Sequence, residues 1–201
     1  GELNGTATIT ETDIGNSENV LRIGASNNGN GNRFFGGYLD DIRISKGVAR
    51  YTKNFIPPSQ AVGAKLDGTN ETNTTTDFTK FYAPFDSDLN DDAQYTLSGT
   101  ASGSAAINTG TKKFGAASLY TPSDGDYVTY DDSSNSISFS GDYTIEAWVY
   151  FTDVTTNNNY IWSKRTNTST HSNNAWAVKW MGGSDNAWEI FQAQGGSQHV
   201  T

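Results

Sequence analysis

The sequence predicts an all-β protein built as an antiparallel β-sandwich. Apolar and polar residues alternate with a period of two in many segments, which is typical of strands with one buried face. Hydrophobic residues make up only 34% of the 201 residues, whereas aromatic residues make up 12%. Tyr, Phe and Trp favour strands, and long helical patterns are absent from the sequence. These observations together predict two sheets packed against each other.

The alternation predicts individual strands. In chain order they are residues 6–10, 19–25, 34–45, 126–130, 143–151, 174–181 and 186–193. The last two are rich in Trp and are separated by the residues GGSD, which favours a hairpin. Residues 46–52 (KGVARYT) are predicted to make one helical turn, because Pro57 and Pro58 follow and stop a longer helix.

A change of composition divides the chain. Residues 59–79 show no alternation and are rich in Thr, Asn and Gly, which indicates a linker. The linker separates an N-terminal segment, residues 1–58, from a C-terminal segment, residues 80–201. The N-terminal segment offers few strands and would leave their edges unpaired, so we do not expect it to fold by itself.

Several motifs resemble a known family. In the C-terminal segment, FYAPFDSDLNDDAQY (81–95), KKFGAASLY (112–120), DYVTY (126–130) and YTIEAWVYF (143–151) resemble the first strands of a laminin G-like domain of the concanavalin A-like lectin/glucanase superfamily. In the N-terminal segment, LNGTATIT (3–10), VLRIGAS (20–26) and FFGGYLDDIRIS (34–45) resemble the last strands of that domain. Residues 45–58 resemble its exit tail, in the form found in structural proteins of tailed phages, notably those of cyanobacteria. The resemblance implies a jelly-roll sandwich.

The order of these motifs is reversed, since the closing strands precede the opening strands. Tandem domains explain this order if residues 1–58 finish one sandwich and residues 80–201 begin the next, and we expect this arrangement because the chain begins and ends within strand-like sequence. Two alternatives remain open. The two segments can complete one permuted sandwich, since domain termini often lie close together, or they can be exchanged between copies by domain swapping.

Charge and composition exclude several classes of function. The formal charge of −9 and the pI near 4.5 argue against nucleic-acid binding, which requires clustered Lys and Arg. The absence of Cys excludes a disulfide scaffold, a thiolate nucleophile and Cys-based zinc sites. No apolar run approaches the roughly 20 residues that a membrane-spanning helix requires.

The sequence predicts no catalytic residues. Glucanases of the superfamily place carboxylates on alternate residues of one strand, where two of them act as nucleophile and acid/base. Glu146 has no acidic residue two or four positions away. Asp40 and Asp41 are adjacent and are therefore predicted to point to opposite faces of their strand. We therefore expect a protein that is not an enzyme.

Calcium is the predicted cofactor. Residues 85–92 (FDSDLNDD) carry closely spaced carboxylates, and calcium binds six to eight oxygen ligands. In sandwiches that the chain resembles, a structural calcium joins an early loop to the final strand. The implied ligands are Asp86, Asp88 and Asp91, joined by Asp40 or Asp41. The alternative is a solvated acidic turn, with one Asp of the pair 40–41 accepting hydrogen bonds from backbone amides.

Tryptophans are the predicted glycan-binding residues. Lectin sites stack an exposed aromatic ring on the apolar face of a sugar, and the candidates are Trp162, Trp176, Trp180 and Trp188. The alternative is a core position, because Trp176, Val178 and Trp180 share one face of a strand. Trp148 is predicted to lie in the core, since the resemblance puts it on an inner strand.

The function follows from the predicted fold, the predicted sites and the family resemblance. The sequence predicts a non-catalytic structural or adhesion module on the surface of a virus particle, such as a phage fibre, appendage or decoration protein, that presents loops to host-surface glycans. Its expected partners are other virion proteins and copies of itself, forming a trimer by analogy with phage appendages. A secreted bacterial carbohydrate-binding or adhesin repeat and a glycoside hydrolase are the alternatives.

Overall fold

The computed structural model describes residues 20–26, 33–61, 78–155, 158–165, 175–183, 185–194 and 197–200. These residues form two antiparallel sheets that pack face to face around a hydrophobic core, which is a β-sandwich. Within the same ranges there is no helix, and therefore none that is long and apolar enough to cross a membrane. The predicted strand 6–10 lies outside the described residues.

Twelve strands are described. They are β1 (Val20–Ile23), β2 (Gly37–Lys46), β3 (Thr79–Ala83), β4 (Gly99–Ser102), β5 (Ala106–Asn108), β6 (Ser118–Thr121), β7 (Tyr127–Asp131), β8 (Tyr143–Phe151), β9 (Asn159–Lys164), β10 (Ala175–Met181), β11 (Ala187–Gln194) and β12 (Ser197–Val200). The seven-stranded sheet has the order β12-β11-β10-β9-β1-β7-β4. In the five-stranded sheet, β2 pairs with β8 along one edge and with β3 and β6 along the other, and β5 pairs with β6.

Both sheets combine strands from the two segments of the chain. From the N-terminal segment, β1 lies between β7 and β9 in one sheet. In the other sheet β2 lies between β8 and the pair β3 and β6. Each of these two strands therefore joins parts of a sheet that would otherwise be separate.

The predicted strands agree with the structure where the alternation is strong. The strand predicted at 143–151 is β8, and the two Trp-rich strands form an antiparallel hairpin, β10–β11. Strand β9 was not predicted, because it is buried on both faces and its sequence does not alternate. The helical turn predicted at 46–52 is wrong: residues 47–52 are irregular, since the backbone N–H of Arg50 donates to Thr144 Oγ1 (2.8 Å) and the Thr144 hydroxyl donates to the Val48 carbonyl (3.0 Å).

A β-bulge interrupts β2. Asp40 pairs with Trp148 and Arg43 pairs with Glu146, so three steps on β2 match two steps on β8. Asp41 takes the left-handed conformation, with φ of 54°. The prediction that Asp40 and Asp41 point to opposite faces is therefore wrong, because the extra residue breaks the alternation, and both side chains line cavities on the outer face of the five-stranded sheet.

Strand β8 separates the core from that outer face. Its odd-numbered residues, Tyr143, Ile145, Ala147, Val149 and Phe151, pack against the core between the sheets. Trp148 and the other even-numbered residues face outward, as strand geometry requires. The prediction of a core position for Trp148 is wrong: both faces of this strand carry apolar residues, so composition alone does not identify the inner one.

A buried ion pair lies in the core. Lys164 Nζ donates to Asp132 Oδ2 (2.6 Å), to Asn135 Oδ1 (2.7 Å) and to the Ile137 carbonyl (3.2 Å). The side chains of Lys164 and Asp132 are both 0% exposed. The pair ties the end of β9 to the turn that follows β7, and every proton of the ammonium group has an acceptor.

Candidate functional site

A groove with an aromatic lining lies on the outer face of the five-stranded sheet. We call it the outer groove. It has a volume of about 260 Å³. Its lining residues are Tyr38, Asp40, Thr111, Lys112, Lys113, Ser118, Trp148, Val149 and Tyr150. They come from β2, β8, the start of β6 and the loop between β5 and β6.

A row of tyrosines runs across three strands beside the groove. Tyr38 on β2 pairs with Tyr120 on β6 and with Tyr150 on β8. The rings of Tyr38 and Tyr120 stack with centroids 4.4 Å apart, and the ring of Tyr150 meets that of Tyr38 edge-on at 5.9 Å. Tyr150 is 61% exposed. The strand register therefore builds a continuous aromatic surface from three distant parts of the sequence.

Trp148 and Lys113 form the wall of the groove. Lys113 Nζ lies 4.3 Å from the centroid of the Trp148 ring, a cation–π contact. The Phe114 ring meets Trp148 edge-on at 5.6 Å. An ammonium group is thus held next to the aromatic surface, and the neighbouring Lys112 donates to the Thr109 carbonyl (2.9 Å).

Asp40 fixes the position of this wall. Its Oδ2 accepts the backbone N–H groups of Lys113 (2.6 Å) and Phe114 (3.0 Å). Burial raises the pKa of Asp40, the two amide hydrogen bonds oppose that rise, and the carboxylates of Asp41 and Asp86 add to it. The carboxyl group acts as an anchor for the loop that carries Lys113.

Asp86 anchors the other half of the same loop. Its Oδ1 accepts the N–H groups of Ala116 (2.5 Å) and Ala117 (3.3 Å). Gly115 lies between the two anchored parts with φ of 57°, and a Cβ atom there would collide with the Asp86 carboxylate. These two constraints explain why glycine occupies position 115, since only glycine fits both the conformation and the space.

The remaining predicted calcium ligands also accept hydrogen bonds from protein groups. Asp91 Oδ1 accepts from the N–H groups of Tyr82 and Ala93 (both 2.8 Å). Asp88 accepts from the N–H of Asn90 (2.8 Å), and Asp41 accepts from the Tyr82 hydroxyl (2.6 Å). In the part of the chain that the structure describes, no three His, Asp or Glu side chains are grouped to hold a metal ion. A calcium ion at these carboxylates stays a prediction.

A second cavity, the tail cavity, adjoins the first across Trp148. It has a volume of about 240 Å³ and lies where the exit tail crosses the outer face of β8. Its lining residues are Asp41, Tyr51, Phe55, Pro57, Pro58, Glu146, Ala147 and Trp148. Trp148 therefore separates two cavities, one beside Asp40 and the other beside Asp41.

Glu146 holds the exit tail in place. Its Oε2 accepts from Arg43 Nη2 (2.8 Å) and Nε (3.1 Å), and its Oε1 accepts from the Tyr51 hydroxyl (2.8 Å). Burial and the bond to Glu146 raise the pKa of Tyr51. Glu146 links β8, β2 and the tail.

The four predicted glycan-binding tryptophans lie elsewhere. Trp162 and Trp176 are 6% and 3% exposed and belong to the core. Trp180 is half-buried against Phe151, and Trp188 is 46% exposed. The aromatic residues that line the outer groove are instead Tyr38, Trp148 and Tyr150. The alternation along β8 already indicates that Trp148 and Tyr150 lie on one face, and this signal could have identified them from the sequence. Tyr38 and Tyr120 lie next to them only because of the strand register, which the sequence does not show.

Comparison with protein-family models, with curated proteins and with solved structures gives no significant match. The likeness to laminin G-like domains therefore rests on the sequence motifs alone. The structure establishes a β-sandwich that carries an aromatic groove on an outer sheet face.

Proposed function

We propose that this protein is a non-catalytic carbohydrate-binding module with a jelly-roll, laminin G-like sandwich, which attaches a virus particle to glycans on its host. The observation that carries the proposal is the outer groove, where exposed Tyr150 and half-buried Trp148 lie beside Lys113 and Asp40. Sugar rings present apolar C–H faces that pack on aromatic rings, while their hydroxyl groups need polar partners. Aromatic walls with a few placed polar groups are the usual form of small-ligand sites.

The dimensions favour a short glycan. The outer groove, at about 260 Å³, is slightly below the range of roughly 300–1,000 Å³ found for small-ligand sites. The tail cavity adds about 240 Å³ on the other side of Trp148. An oligosaccharide that crosses Trp148 would contact both cavities, so we propose that the ligand has more than one sugar unit.

The charge favours an acidic glycan. Lys112 and Lys113 outnumber Asp40, the one acidic residue among those that line the outer groove, in a chain whose formal charge is −9. A local positive charge in an acidic protein attracts anions to that point and repels them elsewhere. Sugars with carboxylate or sulfate groups are therefore expected to bind more tightly than neutral ones.

Binding without turnover is supported by the hydrogen bonds that the carboxylates near the groove already accept from other protein groups. Asp41 and Glu146 both line the tail cavity, and this is the observation that favours a glycoside hydrolase as the second candidate, since such enzymes use two carboxyl groups. Glu146 already accepts hydrogen bonds from Arg43 and Tyr51, and Asp41 accepts one from Tyr82. Release of reducing sugar from host polysaccharide, abolished by Glu146→Gln, would establish the hydrolase instead.

A glycan array followed by calorimetry with the best ligand tests the site. We expect Trp148→Ala and Tyr150→Ala each to weaken binding at least tenfold, which corresponds to about 1.4 kcal/mol. Trp188→Ala is the matched control, because it removes an exposed tryptophan outside the groove. Loss of binding in Trp188→Ala together with full binding in Trp148→Ala would reject the outer groove as the site.

The virion assignment rests on the resemblance of the exit tail to that of tailed-phage proteins, and it has its own test. Mass spectrometry of purified particles is expected to find this chain with capsid or tail proteins. Its recovery from bacterial culture medium without particles would favour the secreted adhesin repeat. Light scattering of the purified protein tests the trimer that is proposed by analogy.

A further inference from the structure

A lysine, an asparagine and an aspartate meet at the buried end of β9, and we call them the buried triad. Lys164 Nζ lies 2.6 Å from Asp132 Oδ2 and 2.7 Å from Asn135 Oδ1. The side chains of Lys164 and Asp132 are 0% exposed. An amine, an amide and a carboxylate at these distances are the groups that amide exchange requires, because they supply a nucleophile, an electrophile and a proton carrier.

The turn after β7 fixes two members of the buried triad. Asp132 Oδ1 accepts the backbone N–H (2.8 Å) and the hydroxyl of Ser136, and its Oδ2 accepts the N–H of Ile137 (3.0 Å). The N–H of Asn135 donates to the Asp132 carbonyl (2.8 Å), and Asn135 takes the left-handed conformation, with φ of 54°. Asparagine adopts this conformation more readily than most residues. The turn therefore holds the carboxylate and the amide next to the amine.

Burial prepares the amine of Lys164 for reaction. An ammonium group is not a nucleophile, because its nitrogen has no free lone pair. Transfer of one proton from Nζ to Asp132 Oδ2, along their 2.6 Å hydrogen bond, converts the ion pair into a neutral amine and a carboxylic acid. Removal from water disfavours charged forms relative to neutral ones. Lysines in such surroundings act as nucleophiles in proteins.

We propose that Lys164 and Asn135 become joined by an amide bond, which the chain forms by itself with Asp132 as the proton carrier. After the proton transfer, the lone pair of Nζ attacks Cγ of Asn135, and the carbonyl electron pair moves to Oδ1. Asp132 gives its proton to Nδ2 of Asn135 and accepts one from Nζ. The Cγ–Nδ2 bond then breaks, ammonia leaves and the carbonyl group forms again.

The atoms and charges of this reaction balance. One C–N bond forms, one C–N bond breaks, and the amide nitrogen departs as ammonia, so no oxidant or other reactant is required. Lys164 and Asp132 carry no net charge together before the reaction. Afterwards Lys164 is part of a neutral amide and Asp132 is a neutral carboxylic acid. The core therefore never holds an uncompensated charge, which would be costly.

Position makes an otherwise slow reaction possible. Groups held in the correct arrangement react as if one of them were present at an effective concentration of about 10⁵–10⁸ M. Nζ of Lys164 already lies 2.7 Å from the amide oxygen of Asn135. The terminal torsion of an asparagine side chain is broad, so a rotation about it turns Cγ toward the amine. Exclusion of water protects the intermediate from hydrolysis.

A second group of the same composition provides an internal control. Lys179 Nζ lies 2.8 Å from Glu189 Oε1 and 3.2 Å from Asn158 Oδ1. Asn158 is also in the left-handed conformation, with φ of 68°. The side chains of Lys179 and Glu189 are 9% and 21% exposed, so water stabilises their charges. Because of this exposure and the longer distance to the amide, we expect the second group not to react.

The new bond connects two strands that flank a third. Strand β1, from the N-terminal segment, pairs with β7 on one side and with β9 on the other. Asn135 follows β7 and Lys164 ends β9, so the amide holds these strands together across β1. The seven-stranded sheet is then closed by a covalent link as well as by hydrogen bonds. This inference does not depend on glycan binding.

Peptide mapping of the full chain after denaturation tests the bond. Trypsin cleaves after Lys164 only if its amine is free, and there is no Lys or Arg between Lys113 and Lys164. A glutamyl endopeptidase cleaves after Glu146, the one Glu in that interval. We expect fragments 114–146 and 147–165 to stay joined, with a mass equal to their sum less one ammonia.

Two results of the mapping would overturn the proposal. Separate fragments of full mass, with cleavage after Lys164, would show that the buried triad is a structural ion pair and no more. Loss of ammonia within one fragment, without a link to the other, would indicate a succinimide at an asparagine instead.

Variants assign the bond to the buried triad. Asn135→Gly removes the amide and keeps a residue suited to the left-handed turn, and Asp132→Asn removes the proton carrier at nearly constant shape. Both are expected to give separate fragments, and Asn135→Gly carries the test alone if Asp132→Asn does not fold. Asn158→Gly is the matched control and should leave the link intact. A link that persists in Asn135→Gly, or that is lost in Asn158→Gly, would contradict the assignment.

Discussion

The core between the two sheets and the outer face of the five-stranded sheet contain the same kinds of residue in different environments. Each has a tryptophan, Trp176 inside and Trp148 outside, and each has an ion pair, Lys164–Asp132 inside and Arg43–Glu146 outside. Inside, these side chains are 3% exposed or less. Outside, Trp148 lines both the outer groove and the tail cavity, and Glu146 lines the tail cavity. The comparison leads us to expect that the first set contributes mainly to stability, and we propose that the second contributes to ligand binding.

The largest expected effect is the loss of the interior ion pair. Lys164→Met leaves the Asp132 carboxylate buried without its counter-charge, which costs about 3–5 kcal/mol of unfolding free energy. Urea denaturation measures this cost. Arg43→Met is the outer-face counterpart and is expected to cost less, because Glu146 keeps its bond to Tyr51 and is 15% exposed. Equal costs for the two variants would break the comparison.

The two tryptophans provide the next test. Trp176→Ala removes a core side chain that is 3% exposed. We expect the unfolding free energy to fall by about 3 kcal/mol, which is at the lower end for such changes because Trp176 also lines a cavity between the two sheets. Trp148→Ala is expected to cost less than half of that while weakening glycan binding. Denaturation and calorimetry on the same two proteins check both statements. A larger stability loss in Trp148→Ala would contradict the assignment of that residue to a ligand surface.

A smaller effect concerns the loop that carries Lys113. Gly115→Ala combines a left-handed φ of 57° with a collision against Asp86, so we expect a loss of about 2–3 kcal/mol and weaker glycan binding. Gly125→Ala is the matched control, because its φ is 94° but nothing lies within 4 Å of the added Cβ. Its expected cost is about 1 kcal/mol without an effect on the ligand. If both variants bind glycan equally well, the loop does not position the groove.

The smallest effect is the pH dependence that Asp40 confers. Its pKa is raised in the folded protein, mainly by burial, so the folded state binds the proton more tightly than the unfolded state. The contribution of Asp40 to stability is therefore greatest below its unfolded pKa, ordinarily about 3.9, and declines as the pH rises through the folded value. The unfolding free energy of the wild type should therefore increase relative to that of Asp40→Asn as the pH falls. A difference that is constant with pH, measured by urea denaturation, would contradict the raised pKa.

The acidic residues show which parts of a site can be predicted from the sequence and which cannot. Asp40, Asp86 and Asp91 were predicted from the sequence as candidate calcium ligands, and in the structure all three accept hydrogen bonds from backbone amides. Their role as calcium ligands stays a prediction. Their partners were not visible, since Asp40 and Lys113 are 73 positions apart and meet only through the packing of a loop against β2.

The sequence by itself determined the all-β class, the position of β8 and the β10–β11 hairpin, because alternation and turn residues act over a few neighbouring positions. Only the tertiary structure decided which face of β8 is buried, that both Asp40 and Asp41 face outward, and that Tyr120, Tyr38 and Tyr150 form one row. The physical reason is strand register. A shift of one residue, such as the bulge at Asp41, exchanges the two faces of a strand, and register is set by contacts between distant parts of the chain.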